Sequence, residues 1–342
     1  MVNISRRTHL ARQIIFVDGL SGSGKTALFK AVSSIDRVEM TRIEPICDYI
    51  CILRFLDRMP EDAAIALLRL QLDRILYNMM ISREINFRPD DMTTILDSPL
   101  RSRYLERLFL SDGPVVQKRI DKEHPILQIM THQLLGISFP LFQAFEDRFV
   151  IIEMVRDPLF IINAWFSYFD RYGTDPFEFT ICMNHNGNDL PWFTRGWERI
   201  FVGLNKMDRI IKSIEFLAIQ KKGFLKNLST KNSQKILQIP FEKFVVDPWP
   251  YINQIEGKLG AHCLPDVQRI LHDQNIPREV TLDVPDKSAF KKYGYHPLKK
   301  EASEQSIKEA QWHFIEENAS IEGLKLLERL CEDYQKEYLE NG

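Results

Sequence analysis

Cysteine is scarce in this chain and does not pair off. The five cysteines, an odd number scattered from Cys47 to Cys331, do not read as a disulfide framework. Cys47 and Cys51 stand one helical turn apart, but no Cys or His cluster beside them completes a metal site, so reduced structural thiols are expected. Long apolar runs are missing too. The longest candidate, 149–169, is interrupted by Glu153, Arg156 and Asp157, so no membrane span is expected. The run 14–17 behind Arg6, Arg7 and Arg12 is too short for the core of a signal peptide. These absences lead to the expectation of a reduced, cytoplasmic location. Excess charge of one sign is also lacking: 45 basic against 47 acidic side chains leave a net −2. A general nucleic-acid binder carries a basic excess, so nucleic acid is not an expected partner. There is no internal repeat and no low-complexity tract, and the sequence sets no oligomeric state.

What is present is ordinary globular material. With 342 residues, 44% hydrophobic and 27% charged, the chain can bury a substantial core. Apolar β-rich runs predict strands at 14–17, 93–96, 126–130, 149–155 and 235–239. Helical periodicity predicts helices at 25–34, 60–83, 99–110, 140–147, 158–169, 197–220 and 251–259, the last stopped by Gly260. The long 60–83 helix places Ile65, Leu68, Leu72, Ile75 and Leu76 on one face. Strands alternating with helices imply right-handed crossovers. The expected fold is a P-loop three-layer α/β/α sandwich with a mostly parallel central sheet and additional long helices. One domain is expected over 1–300, with helical insertions at about 60–84 and 197–220, followed by a helical extension over 301–342 broken at Gly323. The stretch 173–195, rich in Gly, Pro, Asn and Asp with aromatics between, reads as a long mobile or functional loop. Its Trp192 and Phe193, with Trp197, are expected to pack rather than stack on a substrate.

The chemistry begins at Ile14-Ile15-Phe16-Val17-Asp18-Gly19-Leu20-Ser21-Gly22-Ser23-Gly24-Lys25-Thr26, a strand, a glycine-rich turn and a helix start. It satisfies G-x-x-x-x-G-K-[ST] in full. Glycines let successive backbone N–H groups point into one concavity, and the helix N-terminus adds partial positive charge beneath a bound anion. Lys25 supplies a point charge, and the Thr26 hydroxyl is available to Mg²⁺ or a phosphate oxygen. The expected donor-binding residues here are Gly19, Ser21, Gly22, Ser23, Gly24, Lys25 and Thr26. Downstream, the 126–130 strand ends in Thr131-His132, and the 149–155 strand ends in Arg156-Asp157-Pro158. Open α/β sheets bind ligands at that carboxyl edge, so His132 and Arg156 are candidates to meet a group held in the cradle. Asp97, in Asp97-Ser98-Pro99, is a candidate helix cap or a Mg²⁺-linked carboxylate, while Arg101 and Arg103 are expected on a solvated face.

The order of these pieces resembles the P-loop sulfotransferases, which use 3′-phosphoadenylyl sulfate (PAPS). The matching pieces are Thr131-His132, Val155-Arg156-Asp157-Pro158, the segment Phe241-Glu242-Lys243-Phe244-Val245-Val246-Asp247-Pro248 and Leu259-Gly260, spread over 126–260. The resemblance implies PAPS or its product PAP as cofactor, Lys25 and His132 as catalytic residues and Arg156 for the 3′-phosphate. Asn163 and Ser167 stand near the family's serine, whose own position falls on Ala164. Lys287, Lys291 and Lys292 around Phe290 are similar to its late basic segment. There are departures. Gly22 stands where the family's catalytic lysine is usual, and the lysine sits instead at Lys25, as in P-loop kinases. Met130 replaces the basic residue before Thr-His. Sulfuryl transfer from PAPS to an acceptor hydroxyl or amine is the first expectation. ATP-dependent phosphorylation of a small molecule with Mg²⁺ bound through Thr26 and Asp97, or non-catalytic nucleotide binding, stand as alternatives. The expected partners are a nucleotide donor and an unidentified acceptor.

Overall fold

Ile14-Ile15-Phe16-Val17 is buried on both sides of its strand, as a parallel sheet covered on both faces requires. A computed structural model describes residues 3–40, 42–279, 281 and 303–340. In chain order, β1 (Ile14–Asp18) leads through the glycine turn into α1 (Lys25–Val32), then β2 (Arg42–Ile43), α2 (Ile46–Phe55) and α3 (Glu61–Met79). After α4 (Arg101–Arg107) and α5 (Pro114–Glu123) come β3 (Leu127–Met130), α6 (Phe139–Phe145), β4 (Phe149–Val155) and α7 (Pro158–Tyr168). A hairpin of β5 (Cys182–His185) and β6 (Asn188–Pro191) precedes α8 (Glu198–Gly203), α9 (Lys206–Lys226) and β7 (Ile236–Pro240).

The five-stranded sheet has the order β2-β3-β1-β4-β7, and every pairing within it is parallel. Its pleat divides the core. Phe16 and Ile151 face a cluster built with α2, α3, α6, α7 and α9. Val17, Ile152 and Met154 face α1 and the helix Trp249–Leu259. The result is three layers, helices over both faces of a parallel sheet, as the strand–helix alternation predicts. The closing helices Glu304–Asn318 and Ile321–Tyr334 pack on α7 and α9 and share the first cluster through Ile315, Leu327 and Cys331.

Several elements differ from expectation. The 93–96 segment is not a strand. Asp91 accepts the backbone N–H of Thr93 and Thr94 accepts that of Leu96, so a 3-10 turn, Ile95–Asp97, forms instead. The 173–195 stretch is not all loop, because Asn186 and Gly187 take positive φ and turn the β5–β6 hairpin. The 197–220 helix is two, restarted at α9 by the Asn205 side chain, which accepts the N–H of Asp208. The closing pair breaks before Ser320 rather than at Gly323. Ser320 caps the second helix, and Gly323 lies inside it, where any Cβ would strike the Asp208 carboxylate. The basic residues Lys287, Lys291 and Lys292 lie outside the described residues.

Candidate functional site

β1 lies between β3 and β4, so the carboxyl ends of these three strands bring the glycine turn, His132 and Arg156 to one edge. The turn is built as its residue types require. Gly19, Gly22 and Gly24 all take positive φ. At Gly24 a Cβ would sit 2.2 Å from the Phe241 ring, and at Gly19 one would lie 2.4 Å from the Met154 carbonyl, so neither position tolerates a side chain. The turn is tied down from outside. Trp165 Nε1 on α7 donates to the Ser21 carbonyl at 2.9 Å, and Arg156 Nη1 donates to the Gly22 carbonyl at 2.9 Å.

Lys25 is buried, and its ammonium donates to the turn's own Gly19 carbonyl at 2.6 Å and Leu20 carbonyl at 3.3 Å. Burial pulls its amine down to about 8, against the attraction of Asp18, Asp48 and Glu153. Ser23 is buried, and its hydroxyl has no hydrogen-bond partner among the described residues. Thr26 is half-buried, its hydroxyl 3.9 Å from Met92 Sδ.

His132 follows β3 on a turn locked to β1. The buried Asp18 carboxylate accepts the Thr131 hydroxyl at 2.9 Å and the backbone N–H of Leu135 at 2.8 Å and of Leu134 at 3.0 Å. Gln133, at positive φ, donates its N–H to the Gly19 carbonyl. His132 Nδ1 faces Asp48 Oδ2 on α2 at 3.4 Å. Asp48 is buried, and burial pushes its carboxyl up, with the His132 contacts opposing. Arg156 lies over the Phe241 ring at 4.3 Å and is drawn to Glu242, which also accepts the Asp157 N–H and the hydroxyl of Tyr334 from the closing helix. A cavity of about 100 Å³ adjoins this edge, its walls including Leu20, Ser23, Gln133, Glu153, Arg156 and Tyr334.

The structure thus gathers Gly19, Ser21, Gly22, Ser23, Gly24, Lys25, His132 and Arg156 at one end of the sheet. It does not gather all the expected residues. Asn163 Nδ2 donates to Gln311 on the closing helices, and the Ser167 hydroxyl donates to the Ala164 carbonyl of its own helix at 2.8 Å. Asp97, expected at a strand end, is exposed on the 3-10 turn. Sequence reasoning missed Asp18, Asp48 and Trp165. An acid set among the buried Cys47, Ile50 and Cys51 of one helix was the available sign for Asp48. Trp192, Phe193 and Trp197 are buried in the core, so the packing expectation describes them. Burial pushes the Cys47 and Cys51 thiols up, in keeping with structural thiols.

Fold and edge together define an α/β protein with a glycine turn between its central strand and first helix. No family model matches the sequence, and no curated protein matches it. Among solved structures the chain is similar to sulfotransferases. One is the sulfotransferase domain from the curacin biosynthetic pathway, at 13% identity and a TM-score of 0.42, covering 93% of this chain and 97% of that one. Another is sulfotransferase STF9 from Mycobacterium avium, at 11% identity and a TM-score of 0.43, covering 97% and 78%. A third is a sulfotransferase from Alicyclobacillus acidocaldarius, at 16% identity and a TM-score of 0.37, covering 94% and 96%. Among the described residues no helix is long and apolar enough to cross a membrane.

Proposed function

We propose that this chain is a sulfotransferase-like group transferase that takes a sulfuryl group from PAPS to an acceptor hydroxyl or amine. The observation that carries this is the meeting, at three adjacent strand ends, of a phosphate-type turn, a histidine and an arginine that touches the turn. The residues fit the donor: Ser23 offers an orphaned hydroxyl, and the glycines keep side chains out of the turn. Backbone N–H groups of 21–26, Ser23 and Thr26 would hold its 5′-phosphosulfate, and Arg156 its 3′-phosphate. The donor supplies an electrophilic sulfur joined to a phosphate leaving group. Lys25 would neutralise charge gathering on that leaving phosphate, and His132 would take the acceptor's proton as its oxygen bonds to sulfur.

The kinase alternative keeps Gly24-Lys25-Thr26 but loses its carboxylate, since Asp97 is exposed on the 3-10 turn rather than at a strand end. Thermal stabilisation by PAP and by ATP, each with and without Mg²⁺, tests the donor. A larger shift with PAP, unchanged by EDTA, is expected. A larger shift with Mg·ATP would overturn the proposal in favour of phosphoryl transfer.

A further inference from the structure

We propose that Asp48 is a positioning residue for His132, holding the imidazole by Nδ1 so that Nε2 is left as the base. This rests on the reading of His132 as base. Both carboxylate oxygens of Asp48 are turned to the same residue. Oδ1 accepts the His132 backbone N–H at 3.2 Å, and Oδ2 faces the ring's Nδ1 at 3.4 Å. An ionised carboxylate can only accept, so the nitrogen facing it carries the hydrogen. In a neutral imidazole the lone pair then belongs to Nε2.

Exposure agrees with this division. The His132 side chain is 37% exposed and that of Asp48 is 9% exposed, so the anchor lies behind the ring. The surroundings leave this task to Asp48. Asp18 on β1 is occupied by Thr131, Leu134 and Leu135, and Lys25 on α1 by the Gly19 and Leu20 carbonyls. Glu44, Cys47, Tyr49 and Cys51 are further titratable groups whose charge couples to this part of α2. Among the described residues, the ion-pair partner of Asp48 is His132 alone. Burying a carboxylate in a helix face otherwise made of Cys47, Ile50 and Cys51 is costly, and orienting a catalytic ring is a return for that cost.

The division also suits the transfer step. The acceptor's O–H bond breaks as its oxygen bonds to sulfur, the proton passes to Nε2, and the S–O bond to the leaving phosphate breaks with its electron pair going to that phosphate. The imidazolium formed keeps its Nδ1–H on Asp48, where the carboxylate balances the new charge.

Two measurements on the full chain test this. In ¹⁵N-histidine-labelled protein, with the His132 ring signals identified by their loss in His132→Gln, the neutral ring should carry its proton on Nδ1. Asp48→Ala should let both tautomers populate. A neutral ring protonated on Nε2 in the unaltered protein would overturn the proposal. The second measurement is release of PAP from PAPS with p-nitrophenol as probe acceptor. Asp48→Ala should lower kcat roughly tenfold or more with the KM for PAPS unchanged, and Asp48→Glu should restore part of the rate. Combined with His132→Ala, Asp48→Ala should add no further loss. The thermal shift with PAP, retained in each variant, shows that the chain is folded and binds donor. A normal kcat in Asp48→Ala while His132→Ala is inactive would overturn the role of Asp48 alone. Full turnover by His132→Ala would overturn the base itself, and the role of Asp48 with it.

Discussion

At Lys25, burial and charge pull in opposite directions, and burial prevails. The amine falls from its ordinary 10.5 to about 8 although Asp18, Asp48 and Glu153 favour its charged form. Below that value the ammonium can meet a phosphate, and above it the charge is gone. PAP affinity is therefore expected to weaken as pH rises through about 8, and titrations at successive pH values will show the step. Lys25→Met should abolish both the step and most of the affinity. Stability moves the other way. Between about 8 and 10.5 the unfolded chain holds a proton that the folded one has released, so stability against urea should rise with pH across that window. At Gly24, with φ at +91° and the Phe241 ring 2.2 Å from any added Cβ, Gly24→Ala is expected to lower stability by about 1–3 kcal/mol and to weaken PAP binding. Unchanged urea midpoints and PAP affinity would show that the turn accommodates a side chain.

Among the elements, α4 is held by a charge network that no motif announced. Arg107 is buried against the fully buried Glu39, with N–O distances of 2.7 and 2.9 Å, and also reaches Glu123. Arg107→Ala would leave Glu39 uncompensated and should destabilise the fold by about 3–5 kcal/mol in urea unfolding. Glu39→Gln with Arg107→Met should recover part of that. Elements whose apolar pattern serves one purpose were legible in sequence: β1, β3, β4, β7 and the helices that follow β1 and β4. Elements set by side chains that capture backbone groups were not. Asp91 and Thr94 turn 93–96 into a 3-10 turn, and Asn205 restarts a helix that periodicity alone runs through. Those bonds offset local propensity in places where hydrophobic periodicity carries no information.

At the scale of the whole molecule, the strand ends that lead to Lys25, His132 and Arg156 could be read from sequence, but their convergence could not. It depends on β1 lying between β3 and β4, which tertiary pairing decides. Asp48 was hidden for the same reason, since 84 residues separate it from the histidine it faces. The closing helices are likewise part of the fold they cover. Leu327 is fully buried against the same core as Phe16, so Leu327→Ala should destabilise the entire chain by about 2–5 kcal/mol, measured by its thermal and urea midpoints.

Tyr334 gives this arrangement a further consequence. Its hydroxyl bonds to Glu242, Glu242 attracts Arg156, and Arg156 bonds to the Gly22 carbonyl of the glycine turn. A dianion bound by Arg156, as proposed, would compete with Glu242 for the same guanidinium and so link the last helix to the donor thermodynamically. Linkage is reciprocal. Saturating PAP should therefore change amide hydrogen exchange along Ile321–Tyr334, and Tyr334→Phe should change PAP affinity in return, although Tyr334 itself need never touch the nucleotide.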